Sequence, residues 1–289
     1  ESVPVSVNDR TRFIYEAACC GLRDFFVKNG YKKACVGVSG GIDSAVVACL
    51  AVAALGAENV RGLMMPSQFS SEGSVEDAKQ LAENLGIEFH VVPITEAYRS
   101  IVDTLIPVIG GTDFDATEEN IQSRIRTLML MALQNKNGYI LLNCSNKSEN
   151  ALGICTLYGD TGGAFSVTGD LYKTEMYDLA RYINRKFGAP IPENILTKEP
   201  SSELRPNQKD SDMLPSYEVV DAILYRLIED GQSREEIINA GFDSDEVQKI
   251  YAMVMRNEKK RFQYPPVLRL SSSSFGHEYR MPLTHKYVK

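Results

Sequence analysis

Histidine is scarce in this chain, and His90, His277 and His285 lie far apart in the sequence. No two cysteines are spaced Cys-x-x-Cys either, so a zinc site is not expected. No uninterrupted apolar run reaches the ~20 residues of a membrane span. The start, residues 1–12, is too polar for a signal peptide. Positive charge is in the minority, 31 Lys and Arg against 38 Asp and Glu, for a net charge of -7. Nothing therefore draws in nucleic acid or an anionic membrane independently of sequence. The expectation is a cytoplasmic protein that captures its substrate locally. Of the six cysteines, Cys19 and Cys20 are adjacent and Cys35 and Cys49 sit in apolar patterns, which favours reduced thiols. No internal repeat is found, and there is no Gly-Lys-Ser or Gly-Lys-Thr, hence no Walker A loop.

What is present is an alternation of strand-like and helix-like segments, the pattern of an α/β protein. With 289 residues, 44% of them hydrophobic, the chain can bury a sizeable core. Strands are expected over 34–38, 60–65, 88–92 and 139–143. Helices are expected over 9–29, 45–55, 75–85, 94–105, 117–134 and 174–186, and then over 217–229, 234–239 and 243–256. In the helix at 117–134, Ile121, Ile125, Leu128 and Ala132 are expected to share the buried face. A nucleotide-binding core over 1–190 is followed by a proline-punctuated loop, a helical cap and an irregular tail over 191–289. The serine patch at 271–274 shows no evident chemistry.

The most informative stretch is Val36-Gly37-Val38-Ser39-Gly40-Gly41-Ile42-Asp43-Ser44-Ala45. It joins an apolar strand to an apolar helix. Glycines lacking Cβ let amide N–H groups and the helix N-terminus converge on an anion, and Ser39 and Ser44 add hydroxyls. Asp43 would repel phosphates unless a divalent cation lay between, which implies Mg²⁺. The plainer alternative is a tight turn in which Asp43 merely complements the helix dipole.

Ser39-Gly40-Gly41-Ile42-Asp43-Ser44 resembles the pyrophosphate loop of the ATP pyrophosphatases, which cleave ATP to AMP and pyrophosphate while adenylating a carbonyl or carboxyl oxygen. Three further blocks narrow the resemblance to NAD synthetase: the run 118–126 containing Asn120 and Arg124, Asn143-Cys144-Ser145-Asn146-Lys147-Ser148-Glu149-Asn150, and Thr156-Leu157-Tyr158-Gly159-Asp160. Segments 203–212 and 257–261 are more similar to the synthetase portion of the long, glutamine-dependent members. The fold this implies is a doubly wound, mostly parallel sheet of the adenine nucleotide α-hydrolase type, with a C-terminal helical region.

The resemblance also implies roles. Gly37, Ser39, Gly40, Gly41, Asp43, Ser44, Met65, Cys144, Lys173, Ser201 and Ser202 would bind ATP. Asn120, Arg124, Glu149, Ile154, Cys155, Thr156, Leu157, Asp160 and Lys260 would bind deamido-NAD. Asp43 and Glu149 would hold Mg²⁺, and Asp43, Glu149, Lys173 and Asp160 would form the catalytic set. For several of these a plainer reading stands alongside: Glu149 as an early-helix acid, Lys173 and Lys260 as solvated lysines, and 154–157 as a short core strand. Cys144 stands where the family usually has Thr, replacing a hydroxyl by a weak S–H donor; Ser145 is the candidate to compensate.

The implied reaction is amidation of deamido-NAD through an acyl adenylate. Ammonia is the direct nitrogen donor, delivered from glutamine in a longer parent. A glutaminase domain is not expected on this chain, which begins at Glu1 rather than Met and reads as an excised synthetase domain; the resemblance also implies a homo-oligomer. Two other classes stay open. A transfer RNA thiolating enzyme or GMP synthetase would share only the first motif, and a noncatalytic nucleotide-binding module would bind ATP without releasing pyrophosphate.

Overall fold

The computed structural model describes residues 7–110, 113–276 and 278–286; His277 and the first half of the polar start lie outside them. Five parallel strands form one sheet in the order β3-β2-β1-β4-β5: β1 (Lys33–Gly37), β2 (Val60–Met64), β3 (Glu88–Val91), β4 (Tyr139–Asn143) and β5 (Phe165–Ser166). Side chains on β1 alternate between the two faces. Ala34 and Val36 join a core with α1 (Val7–Lys28), α2 (Ile42–Leu55), α3 (Glu72–Leu85) and α7 (Lys173–Phe187). Cys35 joins the opposite core with α4 (Thr95–Ile109) and α5 (Ala116–Asn137). Helices on both faces make the sheet doubly wound, as expected.

Because β1 pairs with β2 on one side and β4 on the other, the winding direction reverses between β1 and β4. A crevice opens there beyond the carboxyl ends of the strands, where open α/β sheets hold their ligands. The Ser-Gly-Gly loop leaves β1 and the Asn143 block leaves β4, so topology delivers both motifs to this crevice. The remaining helices are α6 (Lys147–Leu152), α8 (Glu193–Thr197), α9 (Tyr217–Ile228), α10 (Arg234–Asn239), α11 (Ser244–Arg256) and α12 (Glu258–Arg261). Helices α9, α10 and α11 build a third core that also takes in Ala151 and Leu152 of α6.

Several expectations need correction. Leu128 is 66% exposed; the buried positions of α5 are Ile121, Gln122, Ser123, Ile125 and Leu130, because that helix turns a partly polar face to the crevice. Helix α4 runs on through Pro107 to Ile109, beyond the expected end at 105, at the loss of the hydrogen bond that a proline nitrogen cannot donate. The tail is not merely irregular. Ser166 N donates to Pro266 O and Leu268 N to Ser166 O, so the chain after 264 extends the sheet beyond β5. All six cysteines are unpaired, and no described helix is long and apolar enough to cross a membrane.

Candidate active site

The pyrophosphate-type loop closes on itself through its two hydroxyls. Ser39 N donates to Ser44 Oγ at 3.1 Å, Gly41 N to Ser39 Oγ at 3.2 Å, and Ser44 Oγ to Gly41 O at 3.1 Å. Gly40 has φ +77°, and a Cβ there would lie 2.2 Å from Ser74 O; only glycine fits between this loop and the start of α3. Gly41 caps α2 without any side-chain acceptor. The first N–H groups of a 14-residue helix are thus left facing the crevice, the arrangement that receives anions.

Asp43 enters the crevice from the first turn of α2. Its Oδ1 accepts from Asn146 Nδ2 at 2.9 Å and its Oδ2 from Lys173 Nζ at 2.5 Å. Asn146 is also the N-cap of α6, accepting from Glu149 N at 2.9 Å. That capping box fixes the entry of a six-residue helix. It also orients Glu149, whose Oε1 lies 3.5 Å from Lys173 Nζ. Lys173 therefore sits between two carboxylates contributed by the first turns of the helices that follow β1 and β4. Burial works against its charge, but Asp43 and Glu149 outweigh that effect and hold its pKa above the ordinary lysine value. Glu149 keeps a side chain 22% open to the crevice yet is otherwise walled by protein. Burial first, and then the neighbouring Asp43 charge, push its carboxyl up to about 8.

These groups line one cavity of about 330 Å³ that also takes in Gly37, Ser39, Gly41, Ser44, Met65, Cys144, Asp160, Ser201 and Ser202. The ATP set expected from sequence is thereby gathered in one place, with Gly40 beneath the loop rather than lining it. The wall at Cys144 is a thiol that donates to Leu142 O across 3.9 Å. The Ser145 hydroxyl is engaged at 3.4 Å with Asp160 O.

The other expected residues form a second group adjoining the cavity. Thr156 Oγ1 donates to Asn120 Oδ1 at 2.6 Å, and Arg124 Nε to Leu157 O at 3.1 Å. Lys260 Nζ donates to Gly153 O at 2.6 Å and Cys155 O at 2.8 Å, so the lysine of the basic run braces the 153–157 turn rather than extending into solvent. Residues 154–157 are a turn, not a core strand. Asp160 joins the two groups: its Oδ1 accepts from Thr156 N at 2.6 Å and Ser123 Oγ at 3.2 Å. Open to the cavity but deep among protein atoms, its carboxyl is raised by burial against the pull of those bonds.

Three cavity residues, and the buried Asn146 beside them, were not singled out in the sequence. Arg126 donates through Nε to Met65 O at 2.9 Å, and burial lowers its guanidinium to about 10. Lys198 bonds Asp77 Oδ2 at 2.9 Å and Ser74 Oγ at 3.1 Å. Glu203 accepts from Ser71 Oγ at 2.7 Å and Ser74 Oγ at 2.8 Å, and Asn146 aligns Asp43 as described. Asn146 had a signal, an Asn three residues before a Glu at a helix start. Arg126 follows Arg124 by two, a spacing that does not share a helix face.

Among the described residues no three His, Cys, Asp or Glu side chains converge to cage a metal. Mg²⁺ does not require such a cage; it binds one or two carboxylates together with phosphates and water. Two carboxylates flanking one ammonium at the cavity, the Glu149 carboxyl raised by burial and by the neighbouring Asp43 charge, fit that habit.

The NAD synthase family model matches residues 14–264. The glutamine-dependent NAD(+) synthetase of Aquifex aeolicus is 52% identical over 276 residues, covering 96% of this chain and 48% of that protein. The structure of glutamine-dependent NAD+ synthetase from Acinetobacter baumannii in complex with ADP is 40% identical at a TM-score of 0.65, covering 98% of this chain and 51% of that one. The NH3-dependent NAD synthetase of Campylobacter jejuni is 30% identical at a TM-score of 0.69, covering 86% of this chain and 95% of its own. The chain thus spans about half the length of the curated relatives it matches. A pyrophosphate-type loop and a two-carboxylate, one-lysine cluster at the switch point of a parallel sheet, matched over nearly the whole length, make this chain a member of the NAD synthase family.

Proposed function

We propose that this chain catalyses the ATP-dependent amidation of deamido-NAD to NAD, releasing AMP and pyrophosphate. The observation that carries this reading is Lys173 held between Asp43 and Glu149 at the mouth of the loop from Ser39 to Ser44. A thiolating enzyme or GMP synthetase would share the loop but not the Asn146-to-Glu149 block beside it.

A carboxylate is a poor acyl donor because its leaving group would be oxide. Its oxygen therefore attacks the α-phosphorus of ATP, a P–O bond forms, and pyrophosphate departs. The N–H groups at the start of α2 and the ammonium of Lys173 hold the departing charge, stabilisation aimed at where charge develops. Asp43 and Glu149 would hold Mg²⁺, which when bound neutralises phosphate charge. Ammonia then attacks the acyl carbon, AMP leaves with the electron pair of the C–O bond, and the nitrogen sheds a proton. Asp160, raised by burial, is positioned where the two residue groups meet and is the acceptor we assign to that proton. Asn120, Arg124, Thr156 and Lys260 form the wall assigned to deamido-NAD. No covalent nucleophile is needed; positioning supplies much of the rate.

Ammonia is the nitrogen source this unit uses directly, and a glutaminase domain of the kind implied by the names of its longer relatives would supply it. Assembly into a homo-oligomer belongs to the same proposal. The test is pyrophosphate release from ATP, Mg²⁺ and deamido-NAD with ammonium or glutamine, with Asp43→Ala as control. NAD formed with ammonium and abolished by the substitution supports the reading; ATP binding without turnover in either case would leave a nucleotide-binding module.

A further inference from the structure

The buried cluster farthest from any assigned role is centred on Lys147. Its side chain is fully buried, as is that of Asp170, and Glu229 is 2% exposed. Lys147 Nζ donates to Ser271 Oγ at 2.7 Å and Ser273 O at 2.9 Å, lies 2.9 Å from Asp170 Oδ1, and pairs with Glu229. The tail answers each carboxylate. Leu270 N and Ser271 N both donate to Asp170 Oδ2 at 2.7 Å, and Ser271 Oγ donates to Oδ1 at 2.9 Å. Ser272 Oγ and Ser273 N donate to Glu229 Oε2. The serine patch is therefore an ordered strap bonded to a buried ion cluster.

A buried ion pair is weak grounds for stability, since desolvation consumes most of the attraction; fixing one geometry is its better-attested use. What this one fixes is α6. A six-residue helix does not hold itself in place, and its successive residues each reach a different element. Asn146 bonds Asp43 of α2, Lys147 enters the strap, Ser148 bonds Asp221 of α9, and Glu149 faces Lys173 of α7. Lys147 and Glu149 lie on opposing sides of one turn, so the position of the strap is carried to the carboxylate two residues away.

We infer that the tail segment 271–273 is a positioning element for the reaction, holding α6 through Lys147 so that Glu149 stays beside Lys173 and Asp43. The inference rests on the proposed synthetase reading, but its test does not depend on turnover alone. In the full chain, S271A/S272A removes the hydroxyl bonds of the strap to Lys147, Asp170 and Glu229 without deleting a charge, leaving only the bonds made by its backbone. We expect hydrogen exchange at the amides of residues 146–153 to rise about tenfold or more while 33–55 keeps its protection. We also expect kcat for pyrophosphate release to fall about tenfold with KM for ATP held within about twofold, because misplacement costs rate more than binding. Lys147→Arg, which keeps the charge, should retain more kcat than Lys147→Met. Ile87→Val, a trimming in the core beside β3 that takes in no residue of α6, serves as a control for lowered Tm and should leave the exchange of 146–153 unchanged. Unchanged exchange of 146–153 in S271A/S272A, or a lowered Tm with kcat intact, overturns the inference. If the unsubstituted chain releases no pyrophosphate, the functional reading fails, while the exchange result still decides whether the strap positions α6.

Discussion

Lys173 Nζ lies 2.5 Å from Asp43 Oδ2, which places the first residue of α7 against the first turn of α2 across the crevice. Glu149 lies on the other side of the same ammonium. In the proposed reaction, removing that ammonium takes away the side-chain positive charge that offsets two carboxylates beside the departing pyrophosphate. Lys173→Met is therefore expected to lower kcat for pyrophosphate release by about 10²- to 10³-fold, the cost of deleting one preorganised charge-stabilising donor. Single-turnover pyrophosphate release checks this, and a loss under about fivefold would show that Lys173 serves only the fold.

Gly40 and Gly73 give a paired test of where glycine is required. At Gly40 the positive φ and the 2.2 Å approach to Ser74 O both exclude a methyl group. The left-handed conformation alone costs ~1–2 kcal/mol, and overlap with the backbone of α3 adds to it. Gly40→Ala should lower stability by about 2 kcal/mol or more and weaken ATP binding, because the loop must move. Gly73 lies in the first turn of α3 with nothing within 4 Å of the added atom; Gly73→Ala should be neutral or stabilising by about 0.5–1 kcal/mol. Urea denaturation and nucleotide titration of the two variants separate these outcomes.

The strand–loop–helix at 36–45 was legible because the glycines, the apolar flanks and Asp43 all act within ten residues. The start of α6 was legible for the same reason. β5 was not, since a two-residue strand held by pairing to β4 and to the tail leaves no periodicity. Nor was the bond between Lys147 and Ser271, separated by 124 residues; charge and hydroxyl patterns say nothing of partners so distant. Leu128 shows the converse limit. Helical spacing assigned it to the core, but α5 spends that part of its surface outside the packed face.

Glu203 fastens the segment after α8 to the start of α3, accepting from Ser71 N, Ser71 Oγ and Ser74 Oγ. It does so at φ +48°, a left-handed conformation that costs a non-glycine residue energy unless its surroundings fix it. Freed of its anchor, the segment carrying Ser201 and Ser202 should leave the cavity. Glu203→Ala is expected to speed proteolytic cleavage within 200–212 in the ligand-free chain and to raise KM for ATP several-fold. Equal cleavage rates for variant and wild type would show that the bonds of Lys198 to Asp77 and of Gln122 Nε2 to Leu204 O hold the segment without Glu203.

Asp221 links the helical cap to the site and gives stability a pH dependence of defined sign. It is 5% exposed, and its carboxylate accepts from Ser148 Oγ at 2.5 Å and Thr174 N at 2.8 Å. Burial raises it from 3.8 to about 6, against the pull of those bonds. Between these values the folded chain keeps the proton that the unfolded chain has already lost. Its contribution is therefore full below about pH 4 and is lost as pH rises towards about 6, amounting to on the order of 3 kcal/mol across the window. In Asp221→Asn the amide oxygen still accepts from Thr174 N, and the Ser148 hydroxyl can turn to accept the amide N–H. The variant should fold while lacking this slope. Urea unfolding of both proteins from pH 4 to pH 7 should give a stability difference, wild type minus variant, that falls as pH rises and levels off above about 6. A difference that grew with pH would mean that Asp221 stays ionised throughout, anchored by Thr174 and Ser148 strongly enough to overcome its burial.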